Sequence, residues 1–157
     1  MKSRRFDDTG EMRTLYLVVR GADGRIGYQA IGPAIIAADV DGKARRSALR
    51  TGLLALAVYQ GYSPREAAAA MGVLADLGDV DFQESDFTPH WFQPGECIRV
   101  IDGLLGRKRR PFPEAVRVEL ALMRRALAEA RIRGCSFYLV EPEPGERLRG
   151  EPIQLAE

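Results

Sequence analysis

The chain has little with which to build a metal or disulfide framework, since its 157 residues include two cysteines and one histidine. Cys97 and Cys135 are too few for the cross-linked scaffold of a small secreted domain. His90 is the only imidazole, so the four nitrogen or sulfur ligands of a structural zinc site are missing as well. No metal and no cofactor is expected. Long apolar runs are also absent: the longest stretches without a charge, Ile26 to Ala38 and Thr51 to Pro64, fall short of the ~20 residues of a membrane-spanning helix. The first ten residues mix Lys2, Arg4 and Arg5 with Asp7 and Asp8 and lead into no apolar run, so no signal peptide is read there. The expectation is a cytoplasmic protein that does not enter a membrane.

What is present suits one ordinary folded domain: 46% of the residues are apolar, 29% are charged and the formal net charge is +1. Residues 1 to 12 are polar and lack periodicity, which reads as a flexible arm, leaving 13 to 157 as a single domain. Thr14 to Arg20 is β-rich, Gly21-Ala22-Asp23-Gly24 is a turn, and Ile26 to Ile31 completes a hairpin. Lys43 to Tyr59 favours a first helix, and Gly52 to Tyr59 is apolar on nearly every side, which implies burial all round. Ser63-Pro64-Arg65-Glu66 combines an N-cap serine, a proline at the first helical position and a glutamate placed for a capping box, so a second helix starts there. Residues 79 to 96, with scattered aromatics and no period, read as a long ordered loop, followed by a short strand at Ile98 to Ile101. Pro111 and Pro113 introduce a third helix that runs to Arg133 and stops at Gly134. Its apolar stripe is Val116, Leu120, Met123, Leu127 and Ala130. Cys135 to Val140 and Ile153 to Leu155 read as further strands. The fold class is α+β: an antiparallel sheet of about four strands with about three helices packed on one face.

The charges are sorted into blocks. Residues 1 to 65 carry eleven basic and six acidic side chains, 66 to 98 none and seven, 99 to 133 ten and four, and 134 to 157 two and five. A nearly neutral chain is thus assembled from stretches of opposite sign, which directs attention to its surfaces. The basic candidates are Arg45 and Arg46, the run Arg107, Lys108, Arg109 and Arg110, and the stripe Arg117, Arg124 and Arg131, whose spacing of seven keeps it on one side of the third helix. Such a stripe suits an acidic protein or a phosphate backbone; the plainer reading is a solvated helix face laced by Glu114–Arg117 and by Glu129 with Arg125 or Arg133. The acidic candidates, Asp76, Asp79, Asp81, Glu84 and Asp86, share their segment with Phe87, His90, Trp91 and Phe92. Rings among carboxylates suit a protein-binding surface, or else the rings plug the core while the acids stay in water.

Other constellations carry less. Ser63 to Val73 resembles the first helix and turn of the helix-turn-helix DNA-binding motif, but Leu74 to Asp79, where a recognition helix belongs, brings two aspartates and a glycine that repel phosphate and end a helix early. Asp39 and Asp41, between the hairpin and the first helix, could hold Mg²⁺ but are just as expected as acids at a helix start. His90, Asp86 and Cys97 could form an activated-thiol site only if the loop brought them together. The sequence therefore favours a small non-enzymatic interaction or regulatory protein, inhibitory in one version, with a protein partner and a homodimer as its assemblies. Nucleic-acid binding through the basic residues of 107 to 133 is the alternative, and an enzyme with its site in the 79 to 97 loop is a third.

Overall fold

An unbroken β-favouring apolar run, Leu15 to Val19, sets β1 (Leu15–Arg20), which pairs antiparallel with β2 (Ile26–Gly32), Val18 opposite Tyr28. The structure is a computed structural model and describes residues 13–40, 53–61, 90–109, 111–142, 146–148 and 150–153. In the turn between the strands, Gly24 N–H donates to the Gly21 carbonyl (2.9 Å) and Arg25 N–H donates to Asp23 Oδ1 (3.0 Å). Strand β3 (Ser136–Val140) pairs antiparallel on the other side of β1, and the two-residue β4 (Glu151–Pro152) lies on β2, giving the order β3-β1-β2-β4.

The α+β class holds, with one correction to the sheet: β4 runs parallel to β2, so the sheet is mixed. The reason is the connection. β3 ends with Val140 beside Tyr16, at the end of the sheet where β2 finishes, whereas β4 begins with Glu151 beside Gly27, where β2 starts, so the connection returns along the length of the sheet and β4 enters in the same direction as β2. Leu148, on that crossing, packs against Val18, Tyr138 and Val140 on one face of the sheet. The strand seen here is Glu151–Pro152, with Ile153 just past it; the remainder of the strand expected at Ile153 to Leu155 lies outside the described residues. The other face presents Leu15, Leu17, Val19, Ile31, Phe137 and Leu139 to the helices, and one cluster of buried side chains joins them.

The helices are α1 (Ala34–Val40), a 3-10 helix at Leu53–Tyr59, α2 (Pro94–Leu105) and α3 (Glu114–Ile132). Helix α3 matches its sequence pattern, with Val116, Leu120, Met123, Leu127 and Ala130 all buried. Its C-terminus is a Schellman turn: Cys135 N–H reaches the Ala130 carbonyl (2.8 Å), Gly134 N–H reaches Arg131 (3.1 Å), and Gly134 sits at φ +71°, where a Cβ would be strained.

Three expectations change. Ile98 to Ile101 is helical rather than a strand, because Cys97, Ile98, Ile101 and Leu104 fall on one side of a helix and bury together against the core. Pro94 to Glu96, assigned to a loop, form the first turn of that helix. The stretch ending at Tyr59 is not buried all round: a 3-10 helix repeats every three residues, so Leu53, Leu56 and Tyr59 turn inward while Val58 is 63% exposed. The second helix expected from Ser63, the arm at 1 to 12 and the start of the first helix at Lys43 lie outside the described residues.

Helix α1, where the sequence gives only a linker, depends on a side chain 85 positions away. Gly32 and Pro33 precede it and offer no capping side chain. Glu119, 7% exposed on the inner side of α3, supplies the cap: Oε2 accepts Ala34 N–H (2.7 Å) and Oε1 accepts Ile35 N–H (2.9 Å). Gly32, at φ +140°, leaves the room, since a Cβ there would fall on the Glu119 carboxylate. Burying a carboxylate this way is favourable only while both oxygens are satisfied. Glu119→Ala is therefore expected to destabilise the fold by about 3 kcal/mol, counting two charge-assisted hydrogen bonds and the orphaned amides. Glu114→Ala, exposed on the same helix, changes it by under about 0.5 kcal/mol. Urea unfolding midpoints of the two variants check the difference.

Candidate interaction surfaces

Two groups of residues stand out in the sequence, and the fold treats them differently. Of the acidic and aromatic group, Asp76, Asp79, Asp81, Glu84, Asp86 and Phe87 lie outside the described residues. His90, Trp91 and Phe92 are placed, and two of them serve the fold. Phe92 exchanges backbone hydrogen bonds with Phe137 (2.8 and 2.9 Å) on the outer edge of β3, and its ring meets Tyr59 edge-on at 5.1 Å. Trp91 packs edge-on against Tyr138 at 4.9 Å, with the Arg20 guanidinium 4.5 Å from its ring centroid. His90 is exposed and lies 4.7 Å from the Phe92 ring. Gly61 N–H donates to the Leu139 carbonyl (2.7 Å) on that same edge of β3, so the chain departs at Gly61 and returns at Phe92 within two residues of β3.

The activated-thiol arrangement gains no support from this geometry. Cys97 is fully buried in α2, and burial pushes its thiol up to about 12, which keeps it protonated and unreactive at neutral pH. Tyr59 nearby is also raised, by its burial first and then by Cys97 and Glu96. His90 packs on Phe92, and Cys135 is buried at the start of β3. Among the described residues no cluster of three or more histidine, cysteine or acidic side chains is arranged to hold a metal, and no helix is long and apolar enough to cross a membrane.

The basic group remains at the surface. Arg45, Arg46 and Arg110 lie outside the described residues. Arg107 is half-buried with its guanidinium 5.5 Å from the Phe112 ring centroid, whereas Lys108 and Arg109 are exposed between α2 and α3. On α3, Arg117, Arg125 and Arg131 are exposed. Arg124 of the stripe is engaged: its Nε and Nη2 donate to the two carboxylate oxygens of Asp102 on α2 (2.5 and 3.3 Å). That hydrogen bond holds the Asp102 carboxyl below the usual range and Arg124 above its own. Arg133 pairs with Glu129 one turn earlier (3.0 Å), one of the pairs the sequence offers.

The sequence did not single out Val118 and Ile132, which are 59% and 81% exposed on α3. They flank Arg125 at intervals of seven, so Val118, Arg125 and Ile132 form a row beside Arg117, Arg124 and Arg131, offset by about 100° around the axis. The signal was legible as apolar residues off the core stripe. The outer face of α3 is thus basic and interrupted by two large apolar side chains.

The buried thiol gives a measurable pH effect. Cys97 keeps its proton in the fold to about 12, while an unfolded cysteine loses it near 9.0. Above that value the unfolded chain binds fewer protons than the folded one, so stability falls as pH rises, by about 1.4 kcal/mol per unit. Below it, this group contributes no slope. Unfolding midpoints measured across the alkaline range should drop for the parent and drop less steeply for Cys97→Ala. Compared with known proteins, the chain matches no family model, no curated protein and no solved structure.

Proposed function

We propose that this chain is a non-enzymatic interaction protein of the cytoplasm that regulates an acidic protein partner, in the simplest case by occupying its surface, through the outer face of α3. The observation that carries the reading is the exposure of Val118 and Ile132 among Arg117, Arg125 and Arg131. Arginine rows alone contribute steering and partner choice, with modest net affinity. Large apolar side chains left in water add the area whose burial stabilises a contact. Lys108 and Arg109 extend the positive surface beyond the N-terminal end of the helix.

Nucleic-acid binding is the second reading, favoured by the continuity of that positive surface from Lys108 to Arg131. It makes use of the arginines and leaves Val118 and Ile132 without a role, because a phosphate backbone offers charge rather than apolar surface. The two readings separate in a fluorescence-anisotropy titration of the full chain with a labelled peptide of alternating acidic and apolar residues and, in parallel, a labelled oligonucleotide. The expected result is peptide binding that weakens about tenfold in Val118→Ser/Ile132→Ser, equivalent to about 1.4 kcal/mol of apolar burial, and is abolished in Arg117→Glu/Arg131→Glu. Oligonucleotide binding that falls steeply with salt and ignores Val118 and Ile132 would replace this reading with the second.

A further inference from the structure

Resting on the docking face just described, we infer that its occupant is a second copy of this chain, with the acidic segment of each copy lying on α3 of the other. The charge match is the first support. Between the anchors at Gly61 and Phe92 the chain holds six acidic side chains against one arginine, Arg65, whereas the docking face presents Lys108, Arg109, Arg117, Arg125 and Arg131. Beside the acids stand Phe82 and Phe87, apolar side chains that suit a face carrying Val118 and Ile132. Two copies related by a two-fold axis make this match twice, and their combined charge stays close to neutral.

The simplest alternative symmetric pairing is self-defeating. Setting α3 directly against α3 of another copy would bury arginine against arginine, and like charges brought together at an interface cost several kcal/mol. The face must therefore meet an acidic element, and this chain carries one. Placement is the second support. The acidic segment is rooted at Gly61 and Phe92 on the outer edge of β3, and α2 packs both on the 3-10 helix that leads to Gly61 and on α3. Its attachment points are thus across α2 from the arginine rows.

A charge swap on the full chain tests this by sedimentation at low micromolar concentration. The parent is expected to sediment as a dimer in low salt and as a monomer in high salt. Arg117→Glu/Arg131→Glu and Asp79→Lys/Asp81→Lys are each expected to be monomeric alone, because each opposes like charges at both contacts. Mixed in equal amounts they should recover the dimer, since each altered surface then meets its opposite. All substituted sites are polar, and circular dichroism identical to the parent establishes that both variants fold. A parent that is monomeric at every salt concentration, or variants that fail to recover a dimer on mixing, overturns the second copy as occupant. The anisotropy titration reads the docking face independently, so peptide binding by a monomeric parent would leave the face intact while removing this partner.

Discussion

The Glu119 carboxylate is the constraint on which the helical layer depends. It sits on the inner side of α3, among Val116, Leu120 and Met123, and it holds the first two backbone amides of α1. A charge in that position is tolerable only if α1 is present, and α1 starts where it does only because the charge is there. The hairpin and α3 are coupled through this one group, since Gly32 at the end of β2 makes the space it occupies. Removing either partner leaves the other in an apolar interior without compensation. The contact therefore acts as a condition on the whole layer rather than as one more increment of stability.

Elements whose information is local were legible in the sequence. The hairpin turn at Gly21 to Gly24 and the Gly134 stop need no distant partner, and the α3 stripe follows from spacing alone. Elements whose information is distant were not. Helix α1 lacks a local cap because the cap arrives from residue 119, and Ile35 and Ile36 do not favour a helix on their own. Helix α2 carries β-branched Ile98, Val100 and Ile101 and two glycines, so local preference pointed to a strand. Burial of Cys97, Ile98, Ile101 and Leu104 in the core, where α2 packs on α3 and the 3-10 helix, decided otherwise, and Pro94 with Glu96 suits its start. The surface divides the same way. Spacing placed Arg117 and Arg131 at the surface, but Arg124 is partly withdrawn by Asp102, which belongs to another helix and could not be paired with it by counting along the chain.

The aromatic residues show how composition can mislead about surfaces. Phe92 closes the edge of β3 and packs on Tyr59 and Phe137, and Trp91 braces Tyr138 beneath Arg20. Rings rich in apolar area were drawn into the fold, where they cover an edge strand that would otherwise expose unpaired backbone groups. Among the described residues the large apolar side chains left outside are Val58, Val118 and Ile132, and the last two sit among arginines. A contact built on them gains specificity from charge and modest area from Val118 and Ile132, which suits association that responds to ionic strength.

Because the chain departs from the outer edge of β3 at Gly61 and rejoins it at Phe92, the two ends of the intervening stretch lie close together on one strand. The entropy of closing a chain between two fixed points grows only with the logarithm of its length, so doubling the span costs ~0.6 kcal/mol. Evolution can accordingly treat the intervening stretch as a cassette, changing its length, charge and sequence while the ladder contacts at the two anchors preserve the register of the sheet.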